Sequence, residues 1–526
     1  MQAAGWARSR PGCGLRHVAL ATAALALGVA RPAGVAAQDA ATAGVDWEAI
    51  DARIETILAD WTTPGLAVAV VAGDSVVFAR GYGVRRIDAP GEVGPHTRFS
   101  VASNTKAFTA ALIAQLVDED RLSGDARVID VLPEFRMHDP WVTGEIRIED
   151  LLTHRSGLPT FGGDHLWIGQ RLPREEIVRR LRWLEPAGSF RASFHYQNLM
   201  YLVAGQVAAA VTGKSWDELM RERILAPLGM TESSTSVRDL VGLEDVAQAH
   251  EVVDGELRVV DYDDVDGVAP AAALNSNVLD MARWVRANLN RGVLDGERIL
   301  SERAVRAMHS IHYPLNVSPW AEENLGQRFS GYGYGWFIGE YRGRKAVTHS
   351  GGLTGMISLQ TLLPEEGIGV VVLTNFAPDA PTRAITNEIL DAMLGEPGRD
   401  WNAVYRGFVD QARERATRSE AELRAARATG TKPSLPLEAY AGRYVDELSG
   451  PATVRLEDGH LVFDYNPRHL GDLEHWHHDV FRVHWRHPIF DMEAKTFLQF
   501  ELGVDGKVDE LTVTFYDPIT FEREDA

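Results

Sequence analysis

The positions of the strand-like segments are the strongest constraint on the fold. Two apolar runs, residues 65–71 and 75–80, flank Ala72-Gly73-Asp74, and Gly-Asp between such runs is typical of a hairpin turn. Four more strand-like runs come late, at residues 334–341, 345–349, 356–363 and 368–375. The chain between them is helical or rich in turns. This arrangement predicts an α+β fold, with one antiparallel sheet closed by both ends of the domain and flanked by helices.

A different pattern begins after this region. Residues 400–429 are rich in Arg, Glu and Ala at helical spacing and end at Gly430, which indicates a helical linker. Short alternating segments follow, with Asp458-Gly459 and Asp505-Gly506 at tight turns. These segments, residues 452–456, 460–465, 480–485, 496–502 and 510–516, predict a small antiparallel β-barrel.

The N-terminus has the features of a secretory signal. Arg8, Arg10 and Arg16 precede an apolar run at residues 18–29, and Val35-Ala36-Ala37 offers small residues for cleavage. The apolar run is short for a membrane span, although a retained anchor is the alternative. We expect a secreted or periplasmic bacterial protein that is cleaved near Ala37. The chain's one cysteine, Cys13, lies in this segment, so the mature protein has neither a disulfide nor thiol chemistry.

The net charge limits the partners. The formal charge is −21 and becomes more negative when the arginine-bearing signal is removed. Such a chain is repelled by phosphate backbones and by anionic lipid, so neither nucleic acid nor a membrane surface is an expected partner. Small molecules, peptides and a second copy of the chain remain.

Ser103-Asn104-Thr105-Lys106 stands at the start of an apolar helical run, residues 107–117. Residues three apart share one helix face, so the Lys106 amine can lie beside the Ser103 hydroxyl. Burial lowers the pKa of a lysine and lets it take a proton, which makes the serine a nucleophile. We predict that Ser103 is the nucleophile and Lys106 its base. The alternative is a helix-capping serine followed by an ordinary first-turn lysine.

Tyr196-Gln197-Asn198 precedes a second apolar helical run, residues 199–211. A tyrosine in such a loop can point into a cleft and transfer protons beside a lysine. Asn198 could hold Lys106 or a substrate amide by hydrogen bonds. By itself the segment is more typical of a surface tyrosine followed by a capping asparagine.

His349-Ser350-Gly351-Gly352 ends a strand-like run. Small residues there let a substrate approach the strand edge, and the backbone N–H of Gly352 could pair with that of Ser103 to bind an oxyanion. Without the other two motifs, this segment would indicate only a strand that ends in a turn.

Together the three motifs follow the order of a known family. The chain resembles the penicillin-recognising serine hydrolases, in the branch with class C β-lactamases, D-alanyl-D-alanine carboxypeptidases, D-aminopeptidases and β-lactamase-like esterases. The resemblance covers about residues 46–395. It extends to three more segments that are similar to this branch, residues 150–159, 227–230 and 333–336.

The resemblance implies roles for the motif residues. Ser103 would be acylated, Lys106 and Tyr196 would exchange its proton, and Asn198 would orient the site. The family's third motif usually reads Lys-Thr-Gly, but here it is His349-Ser350-Gly351, as in esterase and D-peptidase members. Histidine lacks the permanent positive charge that would meet a β-lactam or peptide carboxylate. Efficient β-lactamase action is therefore not expected.

The C-terminal segment, residues 437–526, resembles the lipocalin-like barrel found in some members, through residues 440–444 and the Asp-Gly turns. The resemblance leaves open whether the barrel covers the cleft, selects substrates or mediates self-association. Strand alternation would scatter its histidines over both faces, which predicts a solvated or interface cluster rather than a metal site. These histidines are His469, His475, His477, His478, His484 and His487.

We therefore expect a signal peptide at residues 1–37, a serine hydrolase domain at 45–398, a helical linker at 399–436 and a barrel at 437–526. The hydrolase would form an acyl-enzyme on Ser103, without metal or organic cofactor, and cleave a small ester or a peptide or amide bond that can include a D-residue. Two alternatives stay open, a penicillin-binding or sensor module and a β-lactamase with slow turnover. The expected partners are the ester, peptide or β-lactam substrate and a second copy bound through the C-terminal domain. Membrane insertion of the mature chain is not expected.

Overall fold

One antiparallel sheet of eight strands is the centre of the structure, a computed structural model that describes residues 44–487, 496–515 and 517–524. The strands are β1 (Gly65–Ala72), β2 (Ser75–Gly83), β3 (Tyr313–Leu315), β4 (Ser330–Tyr332), β5 (Phe337–Tyr341), β6 (Arg344–Leu353), β7 (Met356–Leu363) and β8 (Ile368–Thr374). Their order is β2-β1-β8-β7-β6-β5-β4-β3. Because β1 pairs with β8, early and late segments close one sheet, which confirms the predicted fold class. The predicted signal peptide lies outside the described residues.

The long helices cover both faces of this sheet. They are α1 (Trp47–Trp61), α2 (Thr105–Asp118), α3 (Asn198–Thr212), α4 (Val278–Leu289), α5 (Ala380–Leu394) and α6 (Trp401–Ala426). Short helices lie at Val128–Val131, Pro140–Glu145, Ile148–Leu152, Arg174–Arg180, Trp216–Met220, Ala226–Leu228, Ala269–Ala272, Glu302–Met308 and Pro319–Leu325. Short strand pairs join Phe99–Ser100 to Asn275–Ser276, Ala249–Val253 to Glu256–Val260, and Val293–Leu294 to Glu297–Arg298.

Strand β1 lies between two hydrophobic cores. Successive strand side chains point to opposite faces, so Val68 and Val70 join the core with α1 and α5, whereas Ala67 and Ala69 join the larger core. Helix α2 is buried along most of its length in that larger core. An apolar surface on every side suits a helix in this position.

The C-terminal part of the described chain forms a closed antiparallel barrel. Its strands are β9 (Gly442–Asp446), β10 (Gly450–Glu457), β11 (His460–Asp464), β12 (Leu470–His477), β13 (Val480–Trp485), β14 (Phe497–Leu502), β15 (Val508–Thr514) and β16 (Pro518–Arg523). Asp458 and Gly459 both have positive φ, 46° and 85°, as the predicted tight hairpin turn requires. Strands β9, β12 and β16 were not predicted from the sequence.

Helix α6 connects the two parts. Trp401 and Tyr405 in its first turns are buried against α5, and the Trp401 indole donates a hydrogen bond of 2.7 Å to Asp391. Near its other end, Glu420 lies 3.0 Å from Arg482 of the barrel. The segment predicted as a linker is therefore partly packed into the first domain.

The barrel histidines have separate environments. His469 is buried beside Trp485, whereas the His484 ring is 2.9 Å from Glu474 and the His475 ring is 2.9 Å from the His478 carbonyl. Within the ranges that the structure describes, no three His, Cys, Asp or Glu side chains are placed to hold a metal ion. No helix in those ranges has the length and apolar content needed to cross a bilayer.

Candidate active site

Ser103 lies on a 3₁₀ turn that leads into α2. Ala102 has a φ of 47°, a conformation that residues with a side chain rarely adopt, and it turns the chain sharply. Asn104 donates a hydrogen bond of 2.7 Å to the Ser358 hydroxyl, which donates one of 2.7 Å to the Val101 carbonyl. The turn that carries Ser103 is thus fastened to β7.

Lys106 occupies the first turn of α2 and is completely buried. Its Nζ lies 3.0 Å from Ser103 Oγ, as the spacing of the motif predicts. Burial lowers the pKa of Lys106 to about 7, although the Asp164 carboxylate opposes this shift. The amine can therefore be neutral near neutral pH, the form in which it can accept a proton.

Lys106 Nζ has three hydrogen-bond partners, which suit the ammonium with its three donors and also the neutral amine if Ser103 donates to it. Lys106 Nζ donates to Asn198 Oδ1 at 2.7 Å and to the Ala271 carbonyl at 3.1 Å. A neutral amine has two hydrogens and one lone pair, and these two acceptors use both hydrogens. In the neutral form the lone pair is left for Ser103 Oγ, where a base must receive the hydroxyl proton.

Asp164 extends this network behind Asn198. Asn198 Nδ2 donates a hydrogen bond of 2.6 Å to Asp164 Oδ2, and the Trp167 indole donates one of 3.0 Å to Asp164 Oδ1. The first bond fixes the amide so that its oxygen points at Lys106. Burial raises the pKa of Asp164 to about 7.

Sequence reasoning missed Asp164 and Trp167. A signal was present, because Asp164 is a single acid in a stretch otherwise rich in glycine and apolar residues, and a tryptophan that can donate to it follows three positions later. Such an acid needs a partner if the stretch is buried.

Tyr196 borders the same hydroxyl. Tyr196 and Ser103 both line the cleft, and the ring centroid of Tyr196 lies 4.7 Å from Lys106 Nζ. The ring packs on His154 at 4.3 Å, and His154 Nδ1 accepts a hydrogen bond of 2.9 Å from the Gln197 backbone. Burial raises the pKa of Tyr196, so the phenol keeps its proton at neutral pH. The hydroxyl, the amine and the phenol predicted from three distant motifs thus meet.

His349 of the third motif is buried at the end of β6. Its Nδ1 donates to the Ser350 carbonyl at 2.6 Å, and its Nε2 accepts from the Tyr332 hydroxyl at 3.2 Å. These partners fit the neutral ring, and burial together with Lys106 lowers the pKa of His349 to about 3. The third motif therefore contributes no positive charge.

The two glycines of this motif serve different purposes. A Cβ at Gly351 would lie 2.1 Å from the Val101 carbonyl, so a side chain cannot fit there without moving the turn of Ser103. Gly352 is exposed and lines the cleft. Within the described ranges, β5 pairs with β6 only as far as Thr348. The end of β6 therefore leaves backbone groups facing the cleft.

The motifs surround a cleft of about 540 Å³. Of the predicted residues, Ser103, Tyr196, Asn198, His349, Ser350 and Gly352 line it, and Lys106 and Gly351 lie directly behind. Apolar lining comes from Phe161, Trp167, Ile168, Phe337, Leu353 and Ile357, and acidic lining from Asp164, Glu251 and Asp263. Among the described residues that line the cleft, none is Lys or Arg.

Comparison with known proteins gives two family matches. A family described as Beta-lactamase matches residues 50–392, and one described as Domain of unknown function (DUF3471) matches residues 426–524. An unguisins hydrolase of Aspergillus campestris is 30% identical over 74% of this chain and 74% of its own length. Penicillin-binding protein 4 of Amycolatopsis lactamdurans is 29% identical over 61% of this chain and 84% of its own.

Two solved structures share the fold. An octameric penicillin-binding protein homologue from Pyrococcus abyssi superimposes with a TM-score of 0.61 at 24% identity, covering 91% of this chain and all of its own. SurE superimposes with a TM-score of 0.54 at 18% identity, covering 93% of this chain and all of its own.

Proposed function

Because the chain belongs to the beta-lactamase family of serine hydrolases, we propose that it hydrolyses its substrate through an acyl-enzyme formed on Ser103. The contact that carries this proposal joins Lys106 Nζ to Ser103 Oγ at 3.0 Å. It places a buried amine beside the hydroxyl that needs a base. When this amine is neutral, Asn198 and the Ala271 carbonyl can accept its two hydrogens.

Acylation begins when Ser103 Oγ attacks the carbonyl carbon of the substrate. Its proton passes to the lone pair of Lys106, and the carbonyl oxygen becomes an oxyanion that the N–H groups of Ser103 and Gly352 stabilise. Lys106 returns the proton through Tyr196 to the leaving group, whose bond to the carbonyl carbon breaks. Water then attacks the carbonyl carbon of the ester on Ser103 and gives its proton to Lys106 through Tyr196. The bond to Ser103 Oγ breaks, and Lys106 returns the proton to that oxygen.

We propose a small ester or a peptide or amide, with or without a D-residue, as the substrate. The neutral His349 and the carboxylates along the cleft favour an acyl group without negative charge. A penicillin-binding or sensor module is the second candidate, which the similarity to penicillin-binding protein 4 favours. A β-lactamase with slow turnover of β-lactams is a variant of the hydrolase.

The proposed organisation keeps a hydrolase domain at residues 45–398, a linker at 399–436 and a barrel at 437–526. A signal at residues 1–37 would direct export to the periplasm or the medium. Sequencing the N-terminus of the exported protein tests this part: a mature chain that begins near Gln38 supports it, and a retained residue 1 contradicts it.

Turnover of p-nitrophenyl acetate, D- and L-aminoacyl anilides and nitrocefin tests the function. We expect Ser103→Ala to lose all turnover above background, because no other group can form the acyl-enzyme. Ser123→Ala, an exposed serine outside the cleft lining, is the control and should match the unmodified enzyme.

The same panel separates the two candidates. Repeated turnover of an ester or anilide supports the hydrolase, whereas labelling by penicillin at one equivalent with no turnover of any substrate supports the sensor. Full activity in Ser103→Ala contradicts both.

A further inference from the structure

We propose that the C-terminal barrel takes part in the reaction through Arg468, a positioning residue for the turn between β6 and β7. The turn begins just after Gly352, which the proposed function assigns to the oxyanion hole, so the inference rests on that function. The similarity of this segment to a domain of unknown function assigns no role to Arg468.

Two carboxylates hold the tip of the β6–β7 hairpin. The Thr354 backbone N–H donates a hydrogen bond of 2.8 Å to Asp263 Oδ2, and that of Gly355 donates one of 2.9 Å to Glu251 Oε1. Gly355 lies so close to His250 that an added Cβ would be 2.6 Å from the backbone nitrogen of His250. Since Thr354 follows Gly352 by two residues, the Asp263 bond helps to fix the direction of the Gly352 N–H.

Arg468 holds Asp263 from the barrel side. Its Nη2 lies 3.2 Å from Asp263 Oδ1 and 3.3 Å from the Tyr262 carbonyl, and its Nη1 lies 3.1 Å from His487 Nε2. Asp263 thus uses one oxygen for Arg468 and the other for the hairpin. The two side chains are only 15% and 16% exposed, so water screens this pair less than a surface ion pair.

The barrel also contacts a second segment that borders the cleft. Asn466 donates a hydrogen bond of 3.0 Å to the Ile168 carbonyl, and the ring of His165 lies 3.0 Å from the Ser449 hydroxyl. Ile168 lines the cleft, and His165 follows Asp164. Residues from the described part of the barrel do not line the cleft, so the barrel acts on it through these neighbours.

A second arginine contact between the two parts provides a matched control. Arg180 Nη1 donates a hydrogen bond of 2.9 Å to the Leu448 carbonyl of the barrel, and Arg180 does not line the cleft. Arg180 and Arg468 therefore both join the barrel to the hydrolase domain, but the contacts of Arg468 continue to the β6–β7 turn.

The test compares Arg468→Met with Arg180→Met, using p-nitrophenyl acetate and the full chain. We expect kcat of Arg468→Met to fall about 10- to 100-fold with little change in KM. A displaced Gly352 N–H would stabilise the oxyanion of the transition state less but would hardly affect binding of the substrate. Arg468→Lys, which keeps the charge, should recover part of kcat. Arg180→Met should stay within about twofold of the unmodified enzyme, since its partners Glu176 and Leu448 do not line the cleft.

A double variant tests the path through Asp263. If Arg468 acts through that carboxylate, Asp263→Asn combined with Arg468→Met should lower kcat no further than the worse single variant. Two independent, multiplying losses would contradict the path. An unchanged kcat in Arg468→Met, or equal losses in Arg468→Met and Arg180→Met, would overturn the inference.

Labelling of Ser103 keeps this inference separate from the function on which it rests. If a fluorophosphonate labels Ser103 in the unmodified enzyme and Arg468→Met keeps its kcat, only the role of Arg468 fails. If Ser103 is not labelled and Ser103→Ala stays active, the proposed function fails and this inference fails with it.

Discussion

The basicity of Lys106 depends on two opposing influences. Burial disfavours the charged amine, and the Asp164 carboxylate favours it from the far side of Asn198. Their balance leaves the pKa of Lys106 at about 7, close to the pH at which a general base is most effective. Asp164 therefore influences the working pH of the base as well as the orientation of Asn198.

The pH profile of kcat/KM tests this balance. Lys106 acts when deprotonated, so activity should rise with pH through about 7 and be lost below it. Asp164→Asn removes the charge that favours the protonated amine, so the pKa of Lys106 should fall and the acid limb should move to lower pH. The measurement is kcat/KM for p-nitrophenyl acetate from acid to alkaline pH.

Glu251→Gln is the control for this shift. Glu251 also lines the cleft, but it is not among the groups that move the pKa of Lys106. The acid limb of the kcat/KM profile of Glu251→Gln should coincide with that of the unmodified enzyme. An acid limb that stays in place or rises in Asp164→Asn would contradict the role of Asp164.

At the scale of secondary-structure elements, the important contact is between the 3₁₀ turn that carries Ser103 and the end of β6. The two segments approach so closely that Gly351 has no room for a side chain, and Ser358 of β7 ties them together. The position of the nucleophile is thus set by the sheet rather than by α2 alone.

Substitution of Gly351 tests this close approach. Gly351→Ala puts a methyl group against the Val101 carbonyl, a backbone atom that cannot rotate away, so the free energy of unfolding should fall by about 1–3 kcal/mol. Turnover should fall as well, because the turn of Ser103 must shift. Urea denaturation measures the first effect and p-nitrophenyl acetate the second.

Gly352→Ala is the matched variant for stability. Its new methyl group would meet only the end of the Ile357 side chain, at 3.3 Å, so the free energy of unfolding should change by less than about 0.5 kcal/mol. Equal stability of the two alanine variants would show that Gly351 is not sterically required.

The elements that could be predicted from the sequence are those with local signals. The hairpin of β1 and β2 and the helix α2 follow from apolar runs and turn residues, and they are present. Strand β12 carries Gly471, Asp472 and two histidines, so its composition does not indicate a strand, and barrel closure determines its pairing.

The residues of the candidate site likewise fall into two groups, those that the sequence motifs predicted and those that they did not. Motif order predicted that Ser103, Lys106 and Tyr196 would meet, and the structure brings them together. Asp164 and Arg468 were not predicted, because each acts on a residue distant in sequence and belongs to none of the motifs. Contacts of this kind depend on how the elements pack, which local patterns do not specify.

Over the molecule as a whole, charge acts against anionic substrates. The chain has a formal net charge of −21, carboxylates line the cleft, and the third motif is neutral. An anionic substrate therefore approaches against the field of the protein, whereas a neutral ester does not. This electrostatic bias is a second reason, besides the chemistry of the third motif, to expect slow action on β-lactams.

Ionic strength tests the bias. Added salt screens the repulsion, so kcat/KM for the carboxylate-bearing nitrocefin, if it is turned over, should rise with salt while that for p-nitrophenyl acetate stays constant. The neutral ester is the control for any general salt effect. A nitrocefin rate that falls with salt would indicate a positively charged subsite and contradict this account.

The most direct test of the acyl-enzyme on Ser103 is to locate the acyl group. The enzyme is mixed with p-nitrophenyl acetate, quenched in acid within the first turnovers, digested and analysed by mass spectrometry. We expect an acetyl group on the peptide with Ser103, its disappearance as the ester is exhausted, and no adduct in Ser103→Ala. The acyl-enzyme on Ser103 would be contradicted by an acetyl group that forms and decays at the catalytic rate on another residue. Undiminished turnover by Ser103→Ala would contradict it as well.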